Sequence, residues 1–254
     1  MHLPTLRPAL SALCLAGLLV PATASAFDPA SMTETERAAF QAEVRAYLLA
    51  NPDILIEMSQ ALEQRQAEAQ AEGDKTLVAT NAAEIFSDGY SFVGGNPEGN
   101  LTVVEFIDYR CGYCRKAHAD VAELVRSDGN IRYVVKEFPI LGDESVIASR
   151  FAIAALQVAG PDAYAKINAG FYETFRGDVT EDTLTAFATE LGLDPAPILA
   201  AMNQPEVTRV IEQNHLLAQR MQISGTPTFV IGDQMLRGYA PLDAMRSIVD
   251  DARG

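Results

Sequence analysis

The 254-residue chain carries 34 acidic against 19 basic residues, a formal net charge of −15, and it has no tryptophan. That acidity argues against nucleic acid and anionic membrane surfaces as partners, because both repel a negatively charged protein. Hydrophobic residues make up 48% of the chain, enough for a packed core, and the length suits one large domain or one domain with an accessory segment.

In chain order the first feature is an apolar run at 9–20, preceded by a single charged residue, Arg7. It is too short to span a bilayer as a helix. Pro21 and the small residues Ala22-Thr23-Ala24-Ser25-Ala26 follow, and Ala24 and Ala26 have the spacing that signal peptidase accepts. Residues 1–26 are therefore expected to be a signal peptide, with the exported chain beginning at Phe27 and its net charge moving from −15 to −16 as Arg7 is lost. Cys14 leaves with the leader, so Cys111 and Cys114 become the whole thiol inventory. No later apolar stretch reaches the roughly 18 residues a membrane span needs, which predicts no stable membrane insertion.

Residues 33–72 are rich in Ala, Glu and Gln and lack Gly, a composition that favours helix. Phe40, Val44, Tyr47 and Leu48 share one face. Asn51-Pro52 interrupts the helix, since the residue before a proline avoids the helical region whereas proline itself fits a first turn. Leu55, Met58 and Leu62 continue the stripe in a second helix, after which 63–72 is almost wholly polar. The segment 27–73 thus forms a helical arm. A stripe followed by a solvated stretch suits self-association through residues 27–72 into a homo-oligomer, and it also suits a helical pair docked on its own chain.

Residues 74–254 change to alternating strands and helices. Residues 90–93 form a short strand, 94–100 a turn, 101–107 a buried strand, 111–125 a helix and 131–137 the next strand, giving a strand-helix-strand unit. The stretch 143–221 is helical with breaks at Gly160-Pro161, Gly177, Gly192 and Asp194-Pro195, an inserted helical region. A hairpin of 228–231 and 235–237 around Gly232-Asp233 and a helix at 242–252 close the chain. The predicted class is α/β with an α+β type sheet core, preceded by the helical arm.

Chemistry concentrates at Cys111-Gly112-Tyr113-Cys114, where the buried strand runs into a helix. A loop this short restrains the unfolded chain little, so the pair is better suited to redox or metal chemistry than to a structural staple. At a helix start the Cys111 sulfur meets free N–H groups and the positive end of the helix dipole, which favours a thiolate. Cys111 is thus the expected nucleophile and Cys114 the resolving thiol, within reach for a disulfide on the first turn. Gly112 leaves room for a substrate chain, and Tyr113 either offers it a flat apolar surface with a hydroxyl or fills the turn. His118 shares a helix face with Cys114, so Cys111, Cys114 and His118 could together hold copper(I), whereas zinc would need a fourth ligand. Glu105 alternates with Val104 and Phe106 and is either buried beneath the motif or solvated on a half-exposed strand. Asp108 is expected in the loop near the site, Lys136 and Glu137 at a solvated strand end, and His215 as a surface or packing residue. Signatures of serine hydrolases, zinc proteases, P-loop proteins and dinucleotide-binding folds are missing.

The run Val103-Val104-Glu105-Phe106-Ile107-Asp108-Tyr109-Arg110-Cys111-Gly112-Tyr113-Cys114, the helical insertion and the Thr226-Pro227 step together resemble the DsbA-like branch of the thioredoxin superfamily. The arm is similar to that of ScsC-like proteins. The resemblance implies a thioredoxin-like fold and a periplasmic thiol:disulfide oxidoreductase that needs no cofactor and acts on cysteines of exported proteins. A membrane thiol reductase or oxidase would recharge it. Pro227 would be cis and lie against the catalytic cysteines, with Thr226 presenting backbone to substrate; the residues alone also allow an ordinary trans turn. A buried acid at Glu105 would move protons to and from the resolving thiol. Gly-Tyr between the cysteines and Thr before the proline resemble isomerase-type members more than oxidases, which usually place His in the motif and Val before the proline. Isomerase or reductase is thus the favoured activity, with a DsbA-type oxidase and a copper-tolerance protein as alternatives.

Overall fold

The periodicities of the sequence become two helices followed by a mixed sheet with helices on both faces, in a computed structural model that describes residues 29–254. The expected signal peptide, with Cys14, lies outside the described residues. The described residues divide into two compact units, one ending at Ala61 and the other running from Leu62 to Gly254, with the division inside a helix.

In the first unit, helix α1 spans Glu34–Ala50. Thr33 caps it reciprocally with Glu36: the Thr33 hydroxyl accepts from the Glu36 amide, and the Glu36 carboxylate accepts from the Thr33 amide at 2.9 Å. Such a cap is worth about 1 kcal/mol. α1 ends before Asn51-Pro52 as the sequence requires, and α2, Asp53–Thr80, begins at once. No residue of α1 is buried.

In the second unit α2 runs on through Gly73, where the sequence suggested that the helical pattern changes. Glycine costs about 1 kcal/mol in a helix interior, and tertiary contacts offset it. Val78 is buried, and the Asp74 carboxylate accepts from the Arg237 guanidinium at 2.9 Å. A short helix α3, Ala82–Phe86, leads to strand β1, Phe92–Gly95. β1 starts two residues later than the sequence pattern indicated because Asp88 accepts from the amides of Tyr90 and Ser91, holding them in a turn. β2 (Leu101–Ile107), α4 (Gly112–Asp128) and β3 (Ile131–Glu137) form the expected strand-helix-strand unit. The insertion comprises α5 (Asp143–Ala159), α6 (Pro161–Glu173), α7 (Glu181–Glu190), α8 (Pro195–Ala201) and α9 (Pro205–Arg220). The hairpin β4 (Thr228–Ile231) and β5 (Gln234–Arg237) and the helix α10 (Leu242–Arg253) complete it.

The sheet order is β1-β3-β2-β4-β5, with β2 and β3 parallel and the other pairs antiparallel. β2 is central, so both of its faces are covered. Leu101 and Val103 pack with Ala117, Val121 and Leu124 of α4 and Met245 and Val249 of α10. Val104 and Phe106 pack on the opposite face with Val78, Ile85, Leu217 and Met221. This two-sided cover overturns the expectation of a solvated end to β3: Lys136 and Glu137 are both buried. The Lys136 ammonium pairs with Asp88 and donates to the Glu84 carbonyl at 2.7 Å. Glu137 accepts from the hydroxyls of Tyr109, Tyr164 and Ser149 at 2.6–2.7 Å.

Candidate active site

β2 delivers the chain to the site. After Ile107, Asp108 turns it, its buried carboxylate accepting from the amides of Arg110, Ile140 and Leu141 and from the Ser145 hydroxyl. Asp108 is therefore a loop residue beside the motif, and its role in the structure is to fix that turn. Its carbonyl accepts from the Cys111 amide at 3.1 Å. Cys111 is then the N-cap of α4, extended at φ −75° and ψ 117°, and Cys114 lies on the first turn.

Both cysteines are free thiols. Both are buried, Cys111 at 8% exposed and Cys114 at 1%, so the first is the less enclosed of the two. A β-carbon on Gly112 would meet nothing within 4 Å, and Tyr113 is 65% exposed. The motif thus opens onto free space flanked by an exposed ring. Across it, the Thr226–Pro227 bond is cis, and the Thr226 carbonyl lies 3.1 Å from Cys111 Sγ, accepting from the protonated thiol. The chain places Cys111, Cys114, Gly112, Tyr113, Thr226 and Pro227 together, although 115 residues separate Cys111 from Thr226.

The two thiols differ in acidity. Cys111 is brought down to about 5, chiefly by the Cys114 thiol donating to its sulfur, helped by the Thr226 hydroxyl and by the amides of Cys114 and Tyr113, while partial burial opposes them. The amide contribution is the helix-start effect expected of an N-cap sulfur. Cys114 is pushed far up, first by that same hydrogen bond, which its proton must supply, then by burial and by the charge of Glu105.

Glu105 is buried, 3% exposed, which rules out the solvated alternative. Alternation along β2 puts it in one row with Leu101 and Val103, on the α4 side and so beneath the helix that carries Cys114. Burial raises its carboxyl to about 7, while a hydrogen bond from the Tyr133 hydroxyl opposes the rise. A carboxyl poised near neutrality suits proton transfer at neutral pH. Sequence reasoning missed Tyr133, although the same alternation read across the parallel β2–β3 register would have placed it on that face.

His118 is turned elsewhere. Its Nε2 lies 3.4 Å from a carboxylate oxygen of Glu173, and its ring packs on Tyr172 with centroids 5.1 Å apart. Burial lowers its proton affinity against the pull of Glu173. Among the described residues no group of three or more His, Cys, Asp and Glu side chains is placed to hold a metal ion. His215 packs its ring on Phe138 at 4.9 Å.

The thioredoxin family profile matches residues 87–251, and that of the copper resistance protein ScsC N-terminal domain matches residues 36–69. The structure is similar to a thioredoxin-like oxidoreductase from Silicibacter pomeroyi, 41% identical with a TM-score of 0.62, covering 67% of this chain and 96% of that one. It is similar to BcfH of Salmonella enterica Typhimurium, 28% identical with a TM-score of 0.72, covering 87% and 97% of the two chains. Among curated relatives it matches the Na(+)/H(+) antiporter NhaA of Herminiimonas arsenicoxydans, 27% identical over 162 residues; the match takes in 63% of this chain but only a quarter, 25%, of that protein's length. The chain belongs to the thioredoxin family and carries an ScsC-type N-terminal domain ahead of its thioredoxin-like fold.

Proposed function

We propose that the protein is a periplasmic disulfide isomerase or reductase that acts on cysteines of exported proteins through Cys111 and Cys114. The observation that carries this reading is the juxtaposition at the start of α4: Cys111 at the N-cap, Cys114 more deeply buried one turn on, and the cis Thr226–Pro227 step with its carbonyl 3.1 Å from Cys111 Sγ. In the proposed cycle the Cys111 thiolate attacks a substrate disulfide, one sulfur of which leaves as thiolate while the other joins Cys111 in a mixed disulfide. Cys114 then gives its proton to Glu105 and attacks Cys111 Sγ; the Cys111–Cys114 bond forms, and the bond to substrate breaks with its electron pair on the substrate sulfur. That outcome is reduction. For isomerisation another substrate thiolate attacks the mixed disulfide instead, and Cys111 is regenerated unchanged.

The open space at Gly112, the exposed Tyr113 and the Thr226 backbone support a substrate strand lying across the motif. An acidic Cys111 stabilises the reduced form of the pair, and a membrane thiol reductase is the proposed partner that keeps it reduced. The ScsC-type arm supports self-association, its exposed Tyr47, Leu49, Leu55 and Met58 packing against those of further copies of this chain. No helix among the described residues is long and apolar enough to cross a membrane. Refolding of scrambled ribonuclease tests the exchange: wild-type protein should restore activity and Cys111→Ser should not, and retained activity in that variant sinks the mechanism. Acid quench with thiol labelling in cells tests direction; a reduced pair is expected, and a resting disulfide would point to an oxidase.

A further inference from the structure

We infer that Tyr133 is a positioning residue for disulfide exchange, its hydroxyl holding the Glu105 carboxylate oriented and charged so that it can take the Cys114 proton. This rests on the exchange reading above and extends it to a residue outside the motif.

Tyr133 stands on β3 opposite Val103 of β2 and Gly94 of β1. Its hydroxyl donates to Oε2 of Glu105. Its ring meanwhile forms part of the wall of a cavity of about 430 Å³, with Phe92, Val121, Val125, His118 and Asn168. Gly94 also lines it and leaves room for the Phe92 ring, which a β-carbon there would approach to 2.8 Å. The cavity has volume for several waters and polar groups in its wall, so the phenol links a solvent-accessible space to a carboxyl that is otherwise enclosed.

The groups around Glu105 make this contact decisive. From α4 and its N-cap come Cys114 and Cys111, and from α6 comes Tyr172, all of which are disfavoured as anions when Glu105 is charged or disfavour its charge in turn. His118 and Glu173 lie further out on α4 and α6, paired with each other. Among the described residues no cationic side chain acts on Glu105, and the Tyr133 hydrogen bond favours its charged form against burial and the charge of Cys111. For Cys114 to attack Cys111, its proton must go to an unprotonated Glu105. Without the hydroxyl, the buried carboxyl would hold its own proton to higher pH and be unavailable as the acceptor.

The test follows release of the chromogenic thiolate from an aromatic disulfide reagent added to the reduced full-length protein. The first equivalent reports attack by Cys111, and the second reports resolution by Cys114. In wild-type protein the pH midpoint of the second phase should lie near the carboxyl value of about 7. Tyr133→Phe should raise it by about one unit, roughly tenfold slower below the midpoint, since a hydrogen bond to a charged group has that magnitude. Incorporating 3-fluorotyrosine at Tyr133, a stronger donor of nearly the same shape, should lower it. Glu105→Gln should remove the inflection, and adding Tyr133→Phe to it should change nothing further. Opposite shifts of this kind cannot come from loosened packing. An unmoved midpoint in both Tyr133 variants, or further slowing when Tyr133→Phe is combined with Glu105→Gln, would overturn the inference. The exchange reading fails separately, if Cys111→Ser leaves both phases intact.

Discussion

The acidity of Cys111 is the most exposed consequence of the site. A thiol brought down to about 5 is ionised to roughly one hundred parts in one hundred and one at pH 7, whereas a free cysteine with a value near 8.5 would be a few per cent thiolate. The largest cause is the hydrogen bond from Cys114. Cys114→Ala removes that donor and leaves the Thr226 hydroxyl and the α4 amides in place, so the titration midpoint should rise by about one to two units, the range for a charge-assisted hydrogen bond. Thiolate absorbance and alkylation rate against pH read this directly in wild type, Cys114→Ala and Thr226→Val. Thr226→Val should give a smaller rise, because its hydroxyl ranks below Cys114 among the causes. The sign for stability follows. A thiol depressed in the folded state contributes stability that is present above its unfolded value and lost as pH falls through about 5. A wild-type midpoint near that of a free thiol, or a Cys114→Ala midpoint that does not move, would refute the assignment of Cys111 as the activated sulfur.

The two buried acids act in the opposite sense: Glu105 and Glu137 are both raised to about 7 by burial, so their contribution is present below the unfolded value of 4.5 and lost as pH rises through about 7. Urea midpoints should therefore fall less over that window in Glu105→Gln than in wild type, and an unchanged slope would contradict the burial of Glu105. Glu137→Ala strands three buried hydroxyls and should cost about 3 kcal/mol or more by denaturant titration. Lys136→Met leaves Asp88 without its cation and should cost about 3–5 kcal/mol, much of it regained when Asp88→Asn is added. For the arm, Leu55→Glu with Met58→Glu should lower the mass seen by light scattering, while an unchanged mass would show that these residues hold no copies together.

Much of the site was legible because its information is local. Cys111 and Cys114 are close in sequence, a helix start imposes the same electrostatics wherever it occurs, and the strand bounds of β2, β3 and β4 coincide with the hydrophobic runs at 101–107, 131–137 and 228–231. The break at Asn51-Pro52 was equally plain, since proline's missing N–H and its steric demand on the preceding residue act without any partner.

Tertiary structure alone decided the environment of the charged groups. Glu105, Lys136 and Glu137 look alike in the sequence as polar residues of strands, and a polar residue on a strand is solvated unless something covers that face. The helices of the insertion and α4 supply the cover that turns Glu105 into a carboxyl near neutrality and gives Glu137 its three hydroxyls, and α3 with the turn after it joins Lys136 to Asp88. Gly73 shows the same dependence in reverse: its helix-breaking tendency is a local cost that the distant Arg237 and the buried Val78 outweigh. The sequence by itself determined which atoms are the candidates for the proposed chemistry, because covalent spacing sets Cys111 and Cys114 on one helix start. The fold determined how acidic those atoms are, because proton affinity depends on burial and on hydrogen-bond partners: for Cys111 the Cys114 thiol first and then Thr226, brought in from far along the chain, and for Cys114 that same hydrogen bond, burial and the charge of Glu105, to which Tyr133 donates.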